Sequence, residues 1–140
     1  MKNKPVLELA DVQKILGAAT ASAVQNGWAV TIAIVDDGGH PLALQRLDGA
    51  APISAYIATE KARTAAMGRR ESGTYEKMIN EGRTAFLSVP HLHALLEGGA
   101  PIVVEGQVLG AVGVSGDNSD NDETAALAGI ESAGLVGQPD

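Results

Sequence analysis

Cysteine is absent from this chain of 140 residues. Its absence excludes disulfides, thiolate metal sites and a cysteine nucleophile. It is compatible with a cytoplasmic protein, the expected location. Aromatic residues are nearly as scarce: one Trp, one Phe and two Tyr. So few rings leave little on which nucleic-acid bases can stack, and no pocket walled by aromatic side chains is expected. Ten Lys and Arg stand against seventeen Asp and Glu, for a formal charge of -7. An acidic surface repels phosphate backbones and anionic lipid, so neither nucleic acid nor membrane is an expected partner. The chain contains no run of about 18 apolar residues to span a bilayer. Behind the basic Met1-Lys2-Asn3-Lys4-Pro5, Asp11 and Gln13 interrupt the apolar stretch, and no signal peptide is read.

What the chain does have is alanine, glycine and regular spacing. Hydrophobic residues make up 45%, enough for a core of small side chains at close quarters within one domain over residues 1–140. Leu9, Val12, Leu16, Ala19 and Ala23 recur at helical spacing, and Asn26-Gly27 ends that helix. Residues 28–35 alternate as a strand and meet the turn Asp36-Asp37-Gly38-Gly39, from which residues 41–47 return. Pro52 suits a helix's first turn, and residues 53–70 read as a long alanine-rich helix. Ser72 caps a shorter helix that holds Tyr75, Met78 and Ile79. Residues 82–90 are irregular, with a brief turn. A short strand is expected over residues 92–96. A second hairpin follows, from Pro101 to Ser115, turning at Gly106-Gln107. Ser119-x-x-Asp122 reads as a capping box for a last helix carrying Leu127, Ile130 and Leu135, with residues 136–140 as a frayed tail. Hairpins with helices packed on one sheet make an α+β fold.

Five segments together resemble the GlcG/HbpS-like, haem-degrading domain family. They are Val35-Asp36-Asp37-Gly38-Gly39-His40, Arg46-Leu47-Asp48-Gly49-Ala50, Glu60-Lys61-Ala62-Arg63-Thr64-Ala65, Gly98-Gly99-Ala100-Pro101-Ile102 and Gly110-Ala111-Val112-Gly113-Val114-Ser115-Gly116. Arg69-Arg70-Glu71 with Tyr75 and Gly82-Arg83-Thr84-Ala85-Phe86 point to the GlcG branch. The resemblance implies a profilin-like fold, a single antiparallel sheet of about five strands, and assembly into homo-oligomers. Some relatives bind haem, and many sit in catabolic operons without an established activity. It carries the fold further than the function.

The candidate ligand-binding residues are Arg46, Asp48, Lys61, Tyr75 and Arg83. Lys61 interrupts an apolar helix arc, so it must snorkel, pair (with Asp48, for instance) or point into a cavity. Arg46 and Asp48 share one strand face by two-residue periodicity. With Arg69, Arg70 and Arg83 they suggest a local cationic group suited to an anionic ligand such as a carboxylate. The plain alternative is that these charges stabilise helix ends and subunit contacts. His91 and His93 share a face if their segment is extended, and His-x-His can ligate a metal or haem iron. A third histidine ligand would have to be His40, which sits in a turn. With no third ligand evident, surface histidines are the favoured reading. Met67 and Met78 fall where core residues are expected.

Gly110-x-x-Gly113-x-x-Gly116 is not a dinucleotide fingerprint, and its glycines suit close sheet or subunit packing. Asp117 to Glu123 lacks the glycine of a calcium loop. Three functions follow: a small-ligand or haem-binding accessory protein of a catabolic pathway, an acid–base enzyme acting on a small carboxylate, or a structural or regulatory oligomer.

Overall fold

The computed structural model describes residues 1–134; the expected role of Leu135 and the expected tail lie outside them. Helix α1 (Leu9–Gln25) buries Val12, Ile15, Ala19 and Ala23 along one stripe. The Asp11 carboxylate accepts the backbone N–H of Glu8 and closes its first turn. Asn26 ends it, with Gly27 in the left-handed region. Strands β1 (Thr31–Asp36) and β2 (Pro41–Arg46) form the first hairpin. Helix α2 (Ile53–Gly68) follows and ends at Arg69, whose φ is 56°. Helix α3 (Ser72–Asn80) and a 3₁₀ turn (Thr84–Ser88) lead to strands β3 (Gly99–Val104) and β4 (Gln107–Ser115), then helix α4 (Ser119–Ser132).

The sheet is antiparallel throughout, in the order β2-β1-β4-β3. The described residues form four strands where the resemblance implied about five. The missing strand is the one expected at residues 92–96. His91 and Ala94 take left-handed φ values of 69° and 49°, which break any extended run there. The carbonyls of that segment are met by side chains instead: Thr64 Oγ1 donates to His93 O, and Ser72 Oγ donates to Leu96 O. Ser72 is therefore committed to the loop before β3, and it does not cap α3.

Strand alternation sends Ile32, Ile34, Ile102, Val112 and Val114 to one face, where α1 and α4 cover them with Ile15, Ala19, Ala126 and Ile130. It sends Ala33, Val35 and Ala111 to the other face, beneath Ala58, Ala62, Ala65 and Ala66 of α2. The second face is nearly all alanine, so α2 sits unusually close to the sheet. A Cβ on Gly113 would fall 2.6 Å from the backbone nitrogen of Ala62 and closer still to the carbonyl of Ala58. This is the close sheet packing that the glycine-rich segment suggested.

Candidate functional site

Lys61 lies on the sheet-facing side of α2 and is only 3% exposed. Its ammonium donates to the carbonyl of Val114 at 2.9 Å and to Asp122 Oδ2 at 3.2 Å. Asp122, on α4, is as deeply buried, and its other oxygen accepts the N–H of Asp117. Burial pushes the Asp122 carboxyl up, and the Lys61 charge opposes that shift. Because α2 and α4 cover opposite faces of the sheet, this ion pair links the two layers past the end of β4. The route is open because residue 98 is glycine: a Cβ there would lie 2.7 Å from Lys61 Nζ and 3.0 Å from its Cδ.

The partners of Lys61 are thus Val114 and Asp122, and the suggested pairing with Asp48 is replaced. Arg46 and Asp48 are exposed at the far end of β2. Asp48 borders a shallow hollow with Trp28 and Leu47. Asp122 is not half of a capping box either. Asn118 caps α4 by accepting the N–H of Asn121, which frees Asp122 to turn inward. A sequence reading misses this pair because 61 residues separate its members and each has a local explanation.

Tyr75 is buried, edge-on to Phe86 with centroids 5.3 Å apart. The Arg70 guanidinium lies 5.5 Å from the Tyr75 ring centre, and that of Arg83 lies 5.0 Å from the Phe86 ring centre. Tyr75 and Arg83 therefore meet through Phe86 in a stacked cluster. His40 bonds Asp36 within its own turn. His91 and His93 are exposed on a loop, so the strand face they were expected to share does not form. Met67 and Met78 are half-buried.

A more voluminous hollow than the one beside Asp48 opens elsewhere. A cleft of about 510 Å³ lies between α3, the start of α4 and the residue before Gly98. Among its described lining residues, Glu71, Glu76, Glu81, Glu97 and Glu123 face a lone cation, Lys77. Glu97 lies across Gly73, where a Cβ would come within 3.1 Å of its Cγ. Glu123 interacts with both Glu97 and Glu71, and its pKa is pushed up to about 9, first by burial and then by hydrogen bonds to those two carboxylates. Its Oε1 is shielded from solvent and has no hydrogen-bond partner among the described residues. A carboxyl so placed keeps its own proton at neutral pH. Among the described residues, no group of three or more His, Cys, Asp or Glu is arranged to hold a metal ion. A second cavity of about 360 Å³ adjoins the cleft across Glu76 and Asn80, and its wall is apolar: Ile79, Leu87, Ala94, Leu95 and Leu96. No sequence pattern joined these glutamates into one cluster, because three lie on or at the ends of α3, one before β3 and one on α4.

No helix among the described residues is long and apolar enough to cross a membrane. The chain is 56% identical over 115 residues to Protein GlcG of Escherichia coli K12, covering 82% of this chain and 85% of that one. The fold matches that of Klebsiella pneumoniae protein ORFY with a TM-score of 0.88 at 27% identity, over 97% of this chain and 96% of that one. It matches a double mutant of Streptomyces reticuli HbpS with a TM-score of 0.84 at 32% identity, over 94% and 89% of the two chains. A PduOC:haem complex shares the fold, with a TM-score of 0.85 at 22% identity over 96% and 99%. Residues 7–131 match the family model described as haem degrading protein HbpS-like. The chain belongs to the HbpS-like family.

Proposed function

We propose that this chain is a small-ligand-binding accessory protein, that its ligand lies in the cleft and cavity beside α3, and that haem is that ligand. The observation that carries the reading is the adjoining of an apolar cavity and a polar cleft along one helix. Ligand sites combine apolar walls with a few placed polar groups in this way. The family description names haem, and haem is bound by PduOC, which has the same fold. Ile79, Leu87, Leu95 and Leu96 would pack on the apolar macrocycle. A protonated Glu123 would donate a hydrogen bond to a propionate. The apolar cavity's described lining offers no histidine, methionine, cysteine or tyrosine, so ring burial would hold the macrocycle more than an iron bond from that wall.

The test is a haem titration followed in the Soret region. A saturable band that weakens at least about tenfold in affinity in Leu87→Asp supports the reading. Leu87 is 66% exposed, so this change does not threaten the core. Absence of any saturable band contradicts the reading.

Glu123 favours a second reading, acid–base chemistry on a small carboxylate. A carboxyl with a raised pKa beside other carboxylates is the arrangement of a general acid. Turnover of a carboxylate substrate that disappears in Glu123→Gln would establish it in place of the first.

A further inference from the structure

We propose that Lys61 is a positioning residue of the cleft, holding Glu97 and Glu123 face to face through its contact with Gly98 and its ion pair with Asp122. The inference rests on the cleft being the ligand site. Asp122 and Glu123 are successive residues in the first turns of α4. The Asp122 carboxylate is fixed from two sides, by Lys61 Nζ and by the N–H of Asp117. With Asp122 pinned inward, the helix has one rotation about its axis, and that rotation sends Glu123 into the cleft. On the other wall, Glu97 precedes Gly98, whose backbone packs directly on the Lys61 stem. Gly98 O also accepts from the N–H of Val114, the residue whose own carbonyl accepts from Lys61. One side chain thus locks the backbone on both sides of the carboxyl cluster without reaching the cleft itself.

The other charged groups facing the cleft are on α3 or at its two ends: Glu71, Glu76, Lys77 and Glu81. The Lys61 ammonium donates to Val114 and Asp122, neither of which lines the cleft. Lys61 therefore acts on Glu97 and Glu123 through backbone position. Removing the ion pair takes away a cation and an anion together, and their direct charge effects on Glu123 oppose each other. Letting Glu97 and Glu123 drift apart and admitting water makes Glu123 easier to ionise.

The experiment compares the wild type with Lys61→Met/Asp122→Leu, which removes both charges and strands neither. Glu123 is titrated by carbon NMR of its side-chain carboxyl, and haem binding is measured alongside. The expected result is a cooperatively folded variant whose Glu123 midpoint falls by about one unit or more, with haem affinity reduced at least about tenfold. A folded variant with the midpoint unchanged or raised overturns the proposal and leaves Lys61 a purely structural ion pair. If that variant does not fold, the closer-fitting pair Lys61→Met/Asp122→Asn is read in the same way. Wild-type protein that binds no haem contradicts the ligand reading, while the Glu123 midpoint still decides the positioning role.

Discussion

At the scale of the residue, Glu123 links structure to a measurable pH dependence. Its ordinary carboxyl value is 4.5, and in the fold it is raised to about 9. Between those values the folded chain keeps a proton that the unfolded chain has released. Stability is therefore fully present below pH about 4.5 and declines as pH rises toward 9. Glu123→Gln imitates the protonated form and removes the decline. One pKa unit corresponds to about 1.4 kcal/mol, and solvent screening in an open cleft absorbs much of the shift. We expect a gain of about 1–2 kcal/mol at pH 8 and almost none at pH 4, read from urea unfolding at the two values. Equal effects at both would contradict the protonated carboxyl. The histidines give the opposite kind of prediction. Exposed on their loop, His91 and His93 can be replaced together by alanine with most of any Soret signal retained. Loss of the signal in a folded variant would identify them as haem ligands.

At the scale of the element, spacing alone predicted most of the order. The apolar stripe of α1 and the alternation of β1 are periodic, and Asp36-Asp37-Gly38-Gly39 is a strong local turn, so each element is legible from its own residues. The second hairpin is legible for the same reason. Glu105 and Gly106, with φ of 51° and 75°, form its turn, one residue earlier than the expected Gly106-Gln107. Residues 92–96 are apolar enough to read as a strand, but Thr64 and Ser72 take their carbonyls, and those partners lie about 25 to 30 residues away in sequence. The Lys61–Asp122 pair was hidden by a longer separation still. What the sequence did reveal was that Lys61 sits oddly in an apolar arc, though not which carboxylate answers it. Gly113 tests the packing of α2. Gly113→Ala puts a methyl group against the backbone of Ala58 and Ala62. We expect a loss of about 1–3 kcal/mol in denaturant unfolding, typical of overpacking. An unchanged midpoint would mean that α2 does not lie this close.

At the scale of the whole molecule, large apolar side chains remain uncovered on the outer side of the first hairpin and α2. Leu42 is 42% exposed, Leu44 50%, Ile53 61% and Tyr56 76%. Such side chains on one flank of an edge strand suit contact with a second copy. We expect light scattering after size exclusion to give a mass of at least twice 14.3 kDa at micromolar concentration, and Leu44→Glu to reduce it. A species of one chain's mass in the unmodified protein would contradict assembly. The acidic balance of the chain recurs in the cleft beside α3, so charge and topology together place an unusual carboxyl cluster beside an apolar cavity. The central claim is that this pair of hollows, and not the exposed end of β2, receives the ligand. The most direct test is NMR of methyl-labelled protein titrated with a diamagnetic metalloporphyrin. The account predicts shifts and ligand contacts at Ile79, Leu87, Leu95 and Leu96. Perturbations centred on Leu44 and Leu47, the methyl-bearing neighbours of Arg46 and Asp48, with those four side chains unmoved, would contradict it.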